Sequence, residues 1–215
     1  MSDPIGKGVL IVDYGVGNLA SIRNMLRKIG VEASISGDID AVASADKLIL
    51  PGVGAFDTCA DKLDRSGLRE VLSNRVLSDK VPILGICVGM QLLLEGSEEG
   101  ELKGLGWVRG RNIRFRADRM PAGLRIPHMG WTDVHAEKPS PLLMDIEDPR
   151  FYFVHAYHAE VEDPSDALLT AEYGYRFTAA VEHGNILGVQ FHPEKSHRFG
   201  MRLLSNFVAH YHQQA

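Results

Sequence analysis

Val81-Pro-Ile-Leu-Gly-Ile-Cys-Val-Gly-Met-Gln-Leu-Leu-Leu94 is the stretch that decides the fold. Val81–Ile86 is a short continuous apolar run, the pattern of a strand buried on both faces of a parallel sheet. The residues after Cys87 read as a helix, so strand turns abruptly into helix. The pivot, Gly85-Ile-Cys-Val-Gly89, is a G-x-C-x-G analogue of the G-x-S-x-G nucleophile elbow. Glycines two residues either side of Cys87 remove side chains that would clash where strand and helix cross. The sulfur is then left at a helix N-terminus, where unpaired N–H groups and the helix dipole favour thiolate over thiol. A free cysteine in an apolar run is also a common small core residue. On this segment alone the nucleophile and the packed thiol are equally good readings, and the rest of the chain must decide.

Working outward, the first half alternates strand and helix. Gly8–Asp13 is an apolar run that suits a central parallel strand, and Leu19, Ile22, Leu26 and Ile29 recur at helical spacing over Asn18–Ile29, with Gly30 as the stop. Val31–Ile35 and Lys47–Leu50 are further strands, the latter ending in Pro51-Gly-Val-Gly54, and a helical stretch runs over Ala55–Leu77 with a break near Gly67. The second half holds short β-rich pieces at Trp107–Phe115, Gly130–His135, Phe151–His155, Leu168–Tyr173, Ala179–Glu182 and Ile186–Phe191. A last amphipathic helix over Arg198–Tyr211 carries Met201, Leu204, Phe207 and Val208 as its apolar stripe. The pattern predicts an α/β fold: an open, mostly parallel sheet with helices on both faces and antiparallel additions to its edge in the C-terminal half. No repeat or linker divides residues 1–215, so one domain is expected.

Composition narrows the function. With 45% hydrophobic and 24% charged residues and a formal net charge of −5, the chain is an ordinary globular one with no basic tract for nucleic acid. Arg109–Arg119 is locally basic, but its interleaved apolar residues read as a strand with one charged face. Two cysteines, Cys59 and Cys87, make no disulfide framework, which fits a reducing cytosol. Cys59 reads as a packed helix residue. Met1–Lys7 lacks an apolar signal core and no run approaches the ~20 residues of a membrane span, so a soluble cytoplasmic protein is expected.

A cysteine nucleophile needs a base, and the base needs an orienting partner. His192, in Leu187-Gly-Val-Gln-Phe-His-Pro-Glu-Lys-Ser196, ends an apolar strand, where α/β proteins present reactive residues. Pro193 keeps His192 extended. Residues two apart in extended chain share a side, so Glu194 reaches back to the imidazole as the third member of a triad. Pro51-Gly-Val-Gly54 can turn backbone N–H groups towards an oxyanion, with the Val88 N–H as the second donor; its plain alternative is an ordinary strand-to-helix turn. Gly15-Val-Gly-Asn18 lacks the third glycine of a dinucleotide fingerprint, and there is no P-loop, so no cofactor is expected. His155-x-x-His158 and His210-x-His212 are isolated pairs without a cysteine cluster, so no metal is expected.

With these residues in view, the chain resembles the class I (triad) glutamine amidotransferases, and more narrowly their glutaminase subunits of imidazole glycerol phosphate synthase. The resemblance rests on Asp13-Tyr-Gly-Val-Gly-Asn-Leu19, Pro51-Gly-Val-Gly-Ala-Phe56, Gly85–Leu93, Pro127-His-Met-Gly-Trp131, Tyr152-Phe-Val-His-Ala-Tyr157 and Phe191-His-Pro-Glu-Lys-Ser196. It implies Cys87 as nucleophile, His192 as acid/base and Glu194 as its orienter. It further implies that Gln91 and the backbone of Gly52 and Gly54 contact glutamine, and that the His155-Ala156-Tyr157 main chain holds its α-amino acid end. Val53 and Val88 would supply the oxyanion hole. Val88 stands where leucine is usual and Ala156 where serine or threonine is usual.

The resemblance also implies a reaction and a partner. Thiolate Cys87 attacks the glutamine carboxamide, His192 protonates the departing ammonia, and water then cleaves the glutamyl thioester. A flip of the Gly52–Val53 peptide on partner binding would switch the oxyanion hole. Ammonia would pass to a (β/α)8-barrel cyclase, with Asn18, Trp131, Tyr152 and Lys195 at or near the interface. Three rival readings stand beside this. A glutaminase of the vitamin B6 type carries a Gly-Glu-Ser signature that does not occur here. A partner-independent γ-glutamyl hydrolase would use the same elbow, and a binding module would keep the fold without the chemistry.

Overall fold

Buried apolar runs form the centre of the molecule as parallel strands. The computed structural model describes residues 8–213, so the expectation placed on Met1–Lys7 lies outside the described residues. In chain order the elements are β1 (Val9–Val12), α1 (Leu19–Lys28), β2 (Ala33–Ser36), α2 (Ile39–Ser44), β3 (Lys47–Gly52), α3 (Phe56–Arg65), α4 (Leu68–Ser73), β4 (Ile83–Cys87) and α5 (Val88–Leu93). The second half adds β5 (Gly110–Arg114), β6 (His128–Ala136), β7 (Arg150–His155), β8 (Tyr157–Val161), β9 (Ala167–Tyr173), β10 (Tyr175–His183), β11 (Ile186–Val189) and α6 (His197–His210). Gly67, at φ 73°, separates α3 from α4 where a break was expected. Two elements escaped the sequence reading. The short helix α2 is capped by Asp38, whose side chain accepts from the Ala41 N–H, and β8 follows β7 after a single residue.

The sheet runs β2-β1-β3-β4-β11-β10-β9-β6-β7, with β8 pairing β10 and β5 pairing β8 off that path. β2, β1, β3, β4 and β11 are mutually parallel, and the remaining pairs are antiparallel. β11 is therefore no edge addition: it joins the parallel core beside β4, carried there by the hairpin from β10. β5 has the one charged face expected of the 109–119 stretch, with Arg111 and Arg114 exposed and Asn112 and Ile113 buried. On α6 the buried stripe includes Leu203, Leu204, Phe207 and Val208, while Met201 is only half-buried. The stripe is displaced because α6 also lays Gly200 on the 193–195 turn, where a Cβ would come within 1.8 Å of the Pro193 carbonyl oxygen.

The crossing that positions Cys87 is tight. α5 lies on the ends of β3, β4 and β11. A Cβ at Gly89 would stand 1.8 Å from the Leu50 carbonyl oxygen, and one at Gly52 would stand 2.5 Å from the Gly89 nitrogen. Helix propensity favours alanine over glycine by at most about 1 kcal/mol, the value for a helix interior, and Gly89 sits in the first turn of α5. At Gly89 the backbone clash outweighs that gain, because overpacking costs about 1–3 kcal/mol and here the neighbour is main chain. Gly89→Ala should therefore destabilise the protein by about 2 kcal/mol or more, read from the denaturant midpoint. Gly30, at φ 81° with open space around it, should lose only about 1 kcal/mol on substitution by alanine. Equal midpoints for the two variants would contradict this packing account.

Candidate active site

Cys87 ends β4 and begins α5 with φ 56° and ψ −114°, a conformation that non-glycine residues rarely adopt. Such backbone costs of order 1–3 kcal/mol and persists where surrounding packing enforces it. Here the enforcing contacts are the glycine crossing above and the parallel ladders on both sides. Gly52 pairs with Cys87 across β3–β4, and Val189 pairs with Ile86 across β4–β11. The carboxyl ends of three adjacent strands thus converge on the sulfur.

His192 lies just beyond β11. Its N–H donates to the Tyr152 carbonyl at 2.9 Å, and its own carbonyl accepts from the Ser196 hydroxyl at 2.6 Å. The Ser196 oxygen in turn accepts the Tyr152 N–H at 3.0 Å, so Ser196 staples the histidine turn to β7. Nδ1 of His192 is 2.8 Å from Glu194 Oε1, and both side chains are almost fully buried. The pairing arises differently from the extended spacing expected: Pro193–Lys195 form a 3₁₀ turn that curls Glu194 back beneath the ring. An ionised carboxylate only accepts, so Nδ1 carries the proton and Nε2 is left for Cys87. Nε2 is buried without a conventional hydrogen bond. Burial opposes charge on the ring, but the Cys87 sulfur and the Glu194 carboxylate outweigh it and hold His192 up at about 9.

The end of β3 and the loop after it are pinned at two carbonyls. The Tyr14 hydroxyl donates to the Pro51 carbonyl at 2.6 Å, and the Cys59 thiol donates to the Val53 carbonyl at 3.4 Å. Burial raises the pKa of both groups, which keeps them protonated as donors. Cys59 is thus more than the packed residue expected. The Gly52–Val53 peptide lies between the two pins, and the Val53 N–H has no hydrogen-bond partner among the described residues. Gly54 follows at φ 89°, which favours glycine.

A cavity of about 370 Å³ opens beside the sulfur, walled by Val53, Gly54, Cys87, Val88, Gln91, Glu99, Pro127, Val154, His155, Ala156, Tyr157, His192 and Lys195. The expected substrate residues Gln91, Gly54 and 155–157 meet there. Gly52 does not line it; it is buried against the Val88–Gly89 backbone. Gln91 Nε2 donates to the Tyr157 carbonyl at 3.3 Å and to Gln190 Oε1 at 3.0 Å. Gln190 Nε2 lies 3.8 Å from Cys87 Sγ. Sequence reasoning missed Gln190, Glu99, Pro127 and Val154. Gln190 carried a signal, being the polar residue two before His192 and so on its side of the strand. Glu99 carried none, since it reaches the cavity on a loop, where its Oε2 accepts the Phe56 N–H at 2.8 Å.

The four residues expected at an interface fall around one rim. Trp131 and Tyr152 are cross-strand partners on β6 and β7, with ring centroids 6.2 Å apart. Lys195 Nζ lies 6.0 Å from the Tyr152 ring, and Trp131 stacks on His197 at 5.6 Å. Trp131 is 39% exposed and its same-side neighbour Met129 62%. Asn18 opens α1, which packs against the 193–195 turn. Among the described residues no cluster of three or more His, Cys, Asp or Glu could hold a metal, and no helix is long and apolar enough to cross a membrane.

The glutamine amidotransferase class-I family matches residues 10–211. An imidazole glycerol phosphate synthase subunit HisH 2 from Methanococcus maripaludis is 48% identical over 201 residues, covering 93% of this chain and 98% of that protein. Subunit HisH from Bdellovibrio bacteriovorus is 49% identical over 200 residues, with the same coverage. Among solved structures, a glutamine amidotransferase superposes with a TM-score of 0.73 at 20% identity, over 94% of this chain and 97% of the other. PurLQS from Thermotoga maritima gives 0.70 at 18% identity, over 93% and 96%. These two likenesses speak for the fold alone.

The raised pKa of His192 has a definite sign. The ring gains its partners on folding, so their stabilisation is complete below about pH 6.5 and is lost as pH rises through about 9. Glu194→Gln should lower the His192 pKa, followed by ring NMR, and narrow that window in pH-dependent unfolding. An unchanged titration would contradict the assigned pairing.

Proposed function

We propose, from the premise that the chain belongs to the class-I glutamine amidotransferases and within them to the HisH subunits of imidazole glycerol phosphate synthase, that it hydrolyses glutamine for histidine biosynthesis through Cys87, His192 and Glu194. The observation that carries the site is the buried His192–Glu194 pair, with Nε2 left free, one strand away from a cysteine held on a strained elbow.

The chemistry follows from that geometry. Cys87 Sγ adds to the carboxamide carbon, and the oxyanion formed meets the Val88 N–H at the start of α5 and, once the Gly52–Val53 peptide has turned, the Val53 N–H. Imidazolium His192 gives its Nε2 proton to the leaving nitrogen, and ammonia departs as the thioester forms. The neutral ring then takes a proton from water, which attacks the thioester and returns the thiolate. Glu194 holds Nδ1–H throughout and stabilises the imidazolium. The α-ammonium of glutamine finds Glu99, the cavity carboxylate not engaged by the triad, and main-chain carbonyls at 155–157. Because those are backbone groups, Ala156 serves as well as a hydroxyl residue.

Ammonia that met bulk water near neutrality would become ammonium and lose its nucleophilicity. The HisH relatives are named as subunits, which supports a complex. We take the partner to be a (β/α)8-barrel cyclase that docks on the rim around Asn18, Trp131, Tyr152 and Lys195 and receives the ammonia; the lyase chemistry is the partner's. Residues 1–215 act as one amidotransferase domain, and two free thiols support a reducing cytoplasm. The loop pinned at Pro51 and Val53 leaves the Gly52–Val53 peptide as the movable element, a switch that prevents wasteful hydrolysis.

Glutamine hydrolysis should rise on the order of 10²-fold when the cyclase partner and its nucleotide ligand are added, the effect of gaining one oxyanion donor. Equal rates with and without the partner would instead favour a free γ-glutamyl hydrolase. Lys195→Ala and Tyr152→Ala should reduce ammonia transfer to the cyclase while Cys87 still reacts normally with a glutamine-mimicking electrophile. Unchanged transfer in both would remove this rim from the interface.

A further inference from the structure

In and behind the cavity wall lie histidine side chains that the chemistry above does not use. Nδ1 of His155 is 2.8 Å from the Tyr157 carbonyl oxygen. A carbonyl only accepts, so Nδ1 carries the proton, and Nε2 of the neutral ring is an acceptor. Nδ1 of His128 is 3.0 Å from that Nε2 and must donate to it. The Nε2 of His128 is then an acceptor, and Thr132 Oγ1, 2.8 Å away, donates. One arrangement of protons satisfies every atom, and it runs in one direction from Thr132 to Tyr157. Burial supports it by keeping both rings neutral: His128 is pushed down to about 4, and His155 well below its ordinary value. Aromatic packing fixes the planes, with His128 stacked on Tyr173 at 4.0 Å and Phe115 against His155 at 5.2 Å.

The Tyr157 carbonyl at the end of this chain also accepts from Gln91 Nε2, and Gln91 lines the cavity. We infer that Thr132, His128 and His155 are positioning residues whose directed hydrogen bonds orient the Tyr157 carbonyl and the Gln91 amide for the bound amino acid. The inference rests on the reading that this cavity binds glutamine. It also ties the cavity to the rim, because Thr132 follows Trp131 on β6 and points to the opposite side of the strand. Losing a donor leaves a buried ring nitrogen unsatisfied, and the remaining bonds of the chain, no longer polarised from that end, hold the Tyr157 carbonyl less firmly.

The test uses the complex with its cyclase partner, and glutamine as the probe. Thr132→Val removes the first donor at nearly constant shape, and Thr132→Ser keeps it. His128→Phe keeps the aromatic packing without any donor, and His128→Asn keeps a donor towards His155. Thr132→Val and His128→Phe should each raise KM for glutamine about tenfold with kcat changed less than about threefold. The serine and asparagine variants should recover most of the loss, and alkylation of Cys87 by iodoacetamide should stay at the wild-type rate. Unchanged KM in both Thr132→Val and His128→Phe would overturn the inference. Nitrogen NMR of the wild-type imidazoles gives a readout independent of turnover. Both rings should be neutral with the proton on Nδ1; an Nε2-protonated His155 would overturn the chain even in an active enzyme. If the tautomers are as described but the wild-type complex fails to hydrolyse glutamine, the reading of the cavity is what has failed, and the positioning role falls with it.

Discussion

The parallel ladder linking β3, β4 and β11 is the constraint on which the site depends. Its registers set Gly52 beside Cys87 and Val189 beside Ile86, so the 52–54 loop, Cys87 and the histidine turn leave the sheet at neighbouring points. Main-chain hydrogen bonds fix these spacings, and a shift by one residue would reverse every side chain on a strand. The elbow at Cys87 is strained, and the strain is held by the glycine contacts that let α5 sit directly on the strand ends.

Around this frame the polar groups are arranged by burial. His192 and Glu194 are almost fully enclosed, so their mutual attraction is poorly screened and sustains an imidazolium that burial alone would suppress. The same enclosure acts in the opposite sense on His128 and His155, which face no carboxylate and are held neutral. Histidines in one small region therefore differ in charge because of what lies within hydrogen-bond reach. The loop above the sulfur is governed similarly. Buried Tyr14 and Cys59 remain donors and hold the carbonyls on either side of the Gly52–Val53 peptide.

Much of the frame was legible along the chain. The apolar runs gave β1, β3 and β4, and the Gly85–Gly89 spacing marked the elbow. His-Pro-Glu after an apolar run marked the His192–Glu194 pair. What escaped was short or depended on distant partners. α2 is brief and its signal was one capping aspartate; β8 is separated from β7 by only Ala156; β11 read like its antiparallel neighbours because a strand's direction in a sheet is invisible in its own residues. Glu99 and Gln190 became part of the site through folding, and Cys59 became a donor because α3 brings it under the Val53 carbonyl.

The amino-acid sequence by itself determined which residues could carry the reaction, because the elbow and the histidine turn are local patterns whose chemistry follows from neighbours in the chain. Only the tertiary structure decided that they meet, which atom of His192 is left for the sulfur, and which carbonyls are pinned. Those outcomes depend on strand order, register and burial, and these arise from hydrogen bonds and packing between residues far apart in sequence.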